Sequence, residues 1–405
     1  MNRLTQQLLV LLAFLILGSR AATAQSSDNS NLLGQINTIT TAVPFLLISP
    51  DARAGGMGDQ GVASAPDANS LHWNAAKYAF IEKKSGFSVS YTPWLKALVN
   101  DMFIGYVSGY TKIKKDQTVA GAFRYFSLGN ITFTDNQGIT IRDFKPSEFS
   151  LDFAYSRKLG PELSGGIALR WIHSNLTGGT SVEGSDSKAG NSVAADISVF
   201  YQKEVKVGSK DALFTSGANI SNLGSKISYT NTGTKNFIPA NLRLGSGLKL
   251  KLNEFNEIGF NIDFNKLLVP TPPIYSDSLD NNSKQIISYG KDPNVSVPAG
   301  IFQSFSDAPG GFSEEVKEVN IGFGMEYWYD KQFAFRGGYF HENKVKGNRK
   351  YFTLGVGLRY NVFGLDLAYL IPTDQRNPLE NTLHFSLTFD FDALSTKKST
   401  DENAE

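Results

Sequence analysis

Asn256-Glu-Ile-Gly-Phe-Asn-Ile-Asp-Phe-Asn-Lys-Leu-Leu-Val269 alternates with a period of two. Ile258, Phe260, Ile262 and Phe264 fall on one face, and Gly259, Asn261, Asp263 and Asn265 on the other. Period two is the strand period. The same pattern recurs along most of the chain. Residues 242–252 set Leu242, Leu244, Leu248, Leu250 and Leu252 against Arg243, Gly245, Gly247, Lys249 and Lys251. Residues 318–328 set Val319, Ile321, Phe323, Met325 and Tyr327 against Asn320, Gly322, Gly324 and Glu326. Near the C-terminus, Leu383, Phe385, Leu387, Phe389 and Phe391 alternate with His384, Ser386, Thr388 and Asp390.

Fourteen such segments are predicted, near 85–94, 101–112, 117–127, 147–159, 162–174, 191–203, 211–222, 238–252, 256–269, 317–329, 331–341, 349–361, 362–371 and 379–392. With the first strand rising from the periplasm, outward connections span 95–100, 128–146, 175–190, 223–237, 270–316, 342–348 and 372–378. Inward ones are short: 113–116, 160–161, 204–210, 253–255, 330 and the 361/362 junction. Short periplasmic turns and long extracellular loops mark outer-membrane barrels. A soluble sandwich has no reason to sort loop length by parity. The expected fold is all-β, a 14-stranded antiparallel transmembrane β-barrel over 85–392.

The polar face carries Arg124, Asp152, Arg170, Asp196, Arg243, Lys249, Asp263, Glu326, Arg336, Arg359 and Asp366. A cation facing lipid near the midplane costs about 2–4 kcal/mol. The charges therefore belong in the lumen. Their mixed signs predict bracing by ion pairs rather than an ion-selective pore.

The N-terminus speaks for export. Arg3 precedes an apolar run, Leu8–Leu17, and Ala22-Thr23-Ala24 offers a small-residue cleavage site. That pattern reads as a signal peptide over 1–24, and the run is too short to span a bilayer as a helix. Residues 25–84 do not alternate. They are small, Gly- and Ala-rich and broken by Pro44, Pro50 and Pro66, with a helix expected over Ser70–Phe80. They are too few and too polar for a separate core, and are expected to fold into the lumen as a plug. Residues 393–405 read as a polar periplasmic tail.

Composition narrows the classes. There is no Cys, hence no disulfide, lipid-anchored Cys or thiolate metal site. Four His disfavour a metal enzyme. The formal charge of +1 becomes −1 once Arg3 and Arg20 leave with the signal, giving no electrostatic case for nucleic acid. Gly56-Met-Gly-Asp-Gln-Gly61 matches G-x-G-x-x-G but lacks the βαβ context that nucleotide binding needs. Asp277-Ser-Leu-Asp280 lacks the spacing of a calcium loop. His173 and Ser174 are adjacent on a strand, so they point to opposite faces and cannot form a hydrolytic pair. No catalytic residue, metal site or cofactor is expected.

The stretches Pro50-Asp-Ala-Arg-Ala-Gly-Gly-Met-Gly-Asp-Gln-Gly-Val-Ala63 and Asn69-Ser-Leu-His-Trp-Asn-Ala-Ala76 resemble the N-terminal region of the PorV (LptO) family. That family serves the type IX secretion system of Bacteroidetes, within the wider FadL-like group of outer-membrane barrels. The closing run Asn377-Pro-Leu-Glu-Asn-Thr-Leu-His-Phe-Ser-Leu-Thr-Phe-Asp-Phe-Asp392 resembles PorV more narrowly. FadL-like chains often read Asn-Pro-Ala where this one has Asn74-Ala75-Ala76. The resemblance implies a FadL-like barrel with a lumenal plug, including Arg53, Met57, Trp73 and Asn74. It implies a non-enzymatic cargo shuttle without cofactors. Its partners would be the C-terminal signal domains of secreted cargo, a giant outer-membrane translocon barrel, a sortase-like attachment complex and the surrounding outer-membrane lipid. The alternative is a FadL-like transporter of hydrophobic small molecules.

A shuttle needs adhesive outward loops. In 270–316, Ile274, Tyr275, Ile301, Phe302, Phe305 and Phe312 are the candidate partner-binding residues. Apolar side chains on a long water-facing loop mark a binding surface, unless they pack onto the barrel rim. Gln137–Phe144 is a second candidate.

Overall fold

The computed structural model describes residues 36–391, apart from 97, 100, 135–136, 180–185, 231–234, 282 and 375–376. The expected signal peptide, the first residues of the expected plug and the C-terminal tail lie outside the described residues.

Fourteen strands close into one antiparallel barrel. They are β1 (Ser85–Pro93), β2 (Met102–Lys114), β3 (Gln117–Leu128), β6 (Ser147–Lys158), β7 (Leu163–Asn175), β8 (Gly190–Val207), β9 (Lys210–Gly224), β10 (Asn241–Lys251), β11 (Asn256–Leu267), β14 (Asn320–Tyr329), β15 (Phe333–His341), β16 (Lys350–Tyr360), β17 (Phe363–Pro372) and β18 (Leu383–Asp390). Each pairs with its neighbours along the chain, and β1 pairs with β18 from Gly86↔Asp390 to Tyr91↔Phe385. Two small hairpins stand in the outward connections: β4 (Ile131–Thr134) with β5 (Thr140–Phe144), and β12 (Ile274–Leu279) with β13 (Gln285–Tyr289).

Burial alternates along the strands as the sequence requires. On β7, Ala168, Arg170 and Ile172 are buried while Ile167, Leu169 and Trp171 stand exposed on the outer face. Arg124, Asp152, Arg170, Asp196, Arg243, Asp263, Glu326, Arg336 and Asp366 are all buried within the barrel. Lipid-facing rings cluster at the inner end, where Phe87 stacks on Phe389 and Phe391. Others cluster toward the outer end, where Tyr91, Phe103 and Tyr125 meet. Aromatic side chains favour both membrane–water interfaces.

Several boundaries move for physical reasons. β8 runs to Val207, past its expected end, and leaves Gly208-Ser209 as the turn, with Gly208 at φ +62°. Glu204 and Lys206 hide the strand from an apolar pattern there, but the backbone ladder to β9 continues. β14 starts at Asn320 because Phe312–Lys317 is a helix. The 270–316 connection also holds a helix over Val297–Gln303 besides its hairpin. The expected helix over Ser70–Phe80 is two pieces, an α-turn at Ser70–Trp73 and a 3-10 helix at Ala75–Phe80. Asn74 breaks it with φ −166°, turning its side chain to other partners.

Residues 43–81 lie against the lumenal wall. What lets them in is glycine. A Cβ added to Gly324 would sit 2.5 Å from Met57 O, and one on Gly322 would sit 2.7 Å from Gly58 O. Gly338 faces Met57 and Gly58 just as closely. The wall's polar face thus carries missing side chains where the plug backbone rests on it. We expect Gly324→Val to unseat the plug at a cost of roughly 1–3 kcal/mol. The checking measurement is the temperature at which unboiled protein loses compact gel migration, which should fall. An unchanged temperature would refute this seating.

Candidate functional site

The plug is anchored by side chains as well. Arg53 makes a two-pronged pair with Glu326, Nε to Oε1 at 2.9 Å and Nη2 to Oε2 at 2.8 Å. Its Nη1 donates to Asp67 at 2.8 Å and to the Ala65 carbonyl at 3.0 Å. Glu326 accepts from Arg336 Nε at 2.8 Å, and Arg336 Nη1 donates to Asp366 at 2.8 Å. Arg359 closes the ladder on Asp366 at 2.7 Å. Trp73 Nε1 donates to Asp51 Oδ2 at 2.8 Å. Asn74 Nδ2 donates to the carbonyls of Val62 and Val199, and its oxygen accepts from the Ala76 N–H. Met57 is buried against the wall. The structure therefore places Arg53, Met57, Trp73 and Asn74 together inside the barrel. Removing one partner of a buried pair costs about 3–5 kcal/mol where the other charge is left alone; Glu326 keeps Arg336, so the cost here lies at the low end, about 3 kcal/mol. Arg53→Ala should lower stability by about that much and admit protease to 43–81. Thermal unfolding with limited proteolysis checks this; a neutral variant would show that the ladder does not hold the plug.

Ion-pair bracing of the lumen holds for part of it. Arg170 pairs with Asp152 at 2.7 Å and Asp196 at 3.2 Å. Lys249 pairs with Glu257 at the inner end. Arg124 and Arg243 correct the expectation, for neither has a carboxylate within salt-bridge distance among the described residues. Arg124 Nη1 donates to the carbonyls of Phe45 and Leu46, and Nη2 meets His72 Nδ1 at 2.6 Å. Arg243 Nη1 donates to the His72 carbonyl at 2.9 Å. His72, which the sequence reading did not single out, joins the two arginines. Its position after Leu71 in the plug gives no local signal of that role.

At the outer end, 268–319 forms a cap. Lys266 at the end of β11 pairs with Glu315 at 3.0 Å and Glu318 at 2.6 Å. Lys346 from the 342–349 connection pairs with Glu314 and, at 3.0 Å, with Glu318. Thr271 Oγ1 donates to Glu318, and the Thr271 N–H donates to Asp307. These groups are largely buried, so the cap is pinned to the rim. Upon it Phe302 and Phe312 are 77% and 79% exposed, and Phe305 and Tyr275 are exposed as well. Ile274 and Ile301 are half-buried. Within Gln137–Phe144, Ile139 and Ile141 are exposed.

The cap carries a titrating group. Burial, reinforced by the charges of Glu315 and Glu318, pushes Asp307 up to about 6 against the pull of the Thr271 N–H. A carboxyl raised above its unfolded value destabilises the fold when ionised, and that penalty is relieved as pH falls through the folded value toward about 4. Glu314 is held low, against the penalty of burial, by Lys346 and the Gly310 N–H, so its contribution is retained down to pH 5.5. Between pH 7.5 and 5.5 the cap should grow more resistant to limited proteolysis, and Asp307→Asn should copy this at pH 7.5. Resistance that is flat or falls over that window would contradict it.

Together these features define a class: an outer-membrane β-barrel whose lumen is filled by its own N-terminal segment and whose outer mouth is capped. The family model described as Type IX secretion system protein PorV matches residues 31–274, more than half of the sequence. The chain belongs to that family and is an outer-membrane component of type IX secretion. No curated protein matches the sequence. Among solved structures, the toluene transporter TbuX of Ralstonia pickettii matches at 10% identity and TM-score 0.46, covering 85% of this chain and 97% of that one. The toluene transporter TodX of Pseudomonas putida matches at 13% identity and TM-score 0.46, covering 87% and 98%. A Pseudomonas aeruginosa FadL homologue matches at 11% identity and TM-score 0.42, covering 88% and 99%.

Proposed function

We propose that this barrel is a docking unit that receives secreted cargo at the cell surface. It binds the cargo's C-terminal signal domain beside a giant translocon barrel, then passes the cargo to a sortase-like attachment complex. It works as a binding protein and carries no catalytic site of its own. Export by the signal peptide over 1–24, with cleavage after Ala24, delivers it to the outer membrane, where lipid surrounds its apolar wall.

The observation that carries this reading is the cap. Phe302, Phe305 and Phe312 are held out toward water on a segment clamped by Lys266 and Lys346. Exposed apolar rings on a rigid support form an adhesive surface at low ordering cost. Transport of hydrophobic small molecules needs a route through the lumen instead. Between Val62 and Phe80 the buried plug packs on the wall, with Lys77 donating to Gly61 O and Ser64 Oγ.

The test is an affinity pull-down of tagged protein from its native outer membrane, read by mass spectrometry. Wild type should recover the giant barrel and cargo with intact C-terminal signal domains. The double variant Phe302→Ser, Phe312→Ser should recover at least about tenfold less, since buried aromatic anchors commonly contribute about 2 kcal/mol or more each. Recovery of the barrel alone with bound lipid would refute the docking role and favour the transporter.

A further inference from the structure

A cavity of about 520 Å³ opens at the outer mouth. One wall is apolar, with Ile39, Leu47, Ile48, Trp94 and Leu95. Below it lies a small chamber of about 70 Å³ that shares Leu47, Ile48, Trp94 and Leu267 with the cavity above. The chamber is therefore the floor of the mouth cavity.

The floor is polar and incomplete. Arg243 is 5% exposed and lines it. Its Nη1 is spent on the His72 carbonyl and its Nε on Asn265. Its Nη2 has no acceptor among the described residues, and no carboxylate there lies within salt-bridge distance of it. Asp263, on the neighbouring strand, attracts it at longer range but gives Oδ2 to the Gly61 and Val62 N–H groups. Ser49 also lines the chamber, 3% exposed, and its hydroxyl has no partner among the described residues. A buried guanidinium with a spare donor and an unpaired hydroxyl on the wall of one chamber suit a carboxylate, while Asp59, which also lines it, accepts from the Tyr351 hydroxyl through Oδ2.

The upper tier indicates what bears that carboxylate. Thr38–Thr41 cross the mouth with no secondary structure, and their backbone groups have no hydrogen-bond partner among the described residues. Ile39, Thr40 and Thr41 line the cavity. Arg349 and Lys346, which also line the cavity, are already paired with Glu342 and with Glu314 and Glu318. A hydrocarbon tail would leave that open backbone unpaired. A polypeptide would pair with it, as peptides add to exposed edges, and would lay its side chains on the apolar wall.

We propose that the mouth cavity binds the C-terminal end of an extended polypeptide. The terminal carboxylate is held by Arg243 and Ser49, and the preceding residues run beside Thr38–Thr41. This assignment rests on the docking reading for the source of such a chain end, and on the geometry for the site itself. It also gives the outer cap a companion: the cap grips a folded surface while the mouth takes the chain end.

The test uses the full-length barrel in nanodiscs and a fluorescein-labelled apolar hexapeptide with a free C-terminus, read by fluorescence anisotropy. The amidated twin should bind about tenfold or more weakly, the usual scale for a lost charge-assisted hydrogen bond. Arg243→Gln should abolish the difference between acid and amide. Ser49→Ala, which leaves the plug's own hydrogen bonds intact, should narrow it should Arg243→Gln fail to fold. Equal binding of acid and amide to wild type overturns the proposal. So does binding of dodecanoate where the peptide does not bind, which would assign the site to a fatty acid. Peptide binding in a protein that recovers no cargo from the membrane would sink the docking reading and leave the site standing. Cargo recovery without peptide binding would sink the site alone.

Discussion

Backbone hydrogen bonding in a medium that offers no water governs this molecule. Every strand N–H and C=O inside hydrocarbon must find a partner in another strand, so the sheet has to close. The β1–β18 seam meets that demand, and closure in turn sets the problem of the interior. A closed fourteen-stranded ring encloses a space that side chains alone do not fill. Here the space is taken up by a stretch of the same chain. Irregular backbone is tolerated at membrane depth because it is buried in protein, with its polar groups satisfied by Asp263, Thr353, Ser198 and Ser386.

The filling works through two complementary devices. Glycines on the wall let the plug backbone approach, and charged side chains on the wall fix where it stops. Arg53 enters a ladder of Glu326, Arg336, Asp366 and Arg359 that spans β14 to β17. Close-packed backbone tolerates little slack, and an unpaired charge at that depth is costly. The same logic recurs at the rim, where Lys266 and Lys346 clamp the cap. The exposed rings at the outer end are thereby presented on fixed supports.

The wall was legible because lipid imposes a rule on every second residue. Ile258, Phe260, Ile262 and Phe264 announce β11 without any knowledge of their neighbours. Legibility faded where lipid stops: Glu204 and Lys206 continue β8 beyond the apolar pattern, and 268–319 holds a hairpin and two helices with no periodicity to reveal them. Arg53, Met57, Trp73 and Asn74 were found through a family pattern, but the pattern did not name their partners. Glu326 is 273 residues from Arg53 in sequence, and nothing local joins them. The lumenal charges were legible as a set, yet not which were paired. Arg124 and Arg243 look like Arg170 along their strands, and only the arrival of His72 and the plug carbonyls separates them.

The path of the plug limits how the molecule can be assembled. Asn37 donates to Val345 O and to Pro272 O among the outward connections, while Ser85 begins the wall at the inner end. The intervening chain traverses the lumen from end to end. A finished ring could admit such a segment only by threading it through one end. A sheet that curls around a plug already lying on its polar face avoids that threading, and the glycine track and the arginine ladder lie where they can guide closure as well as fill the ring.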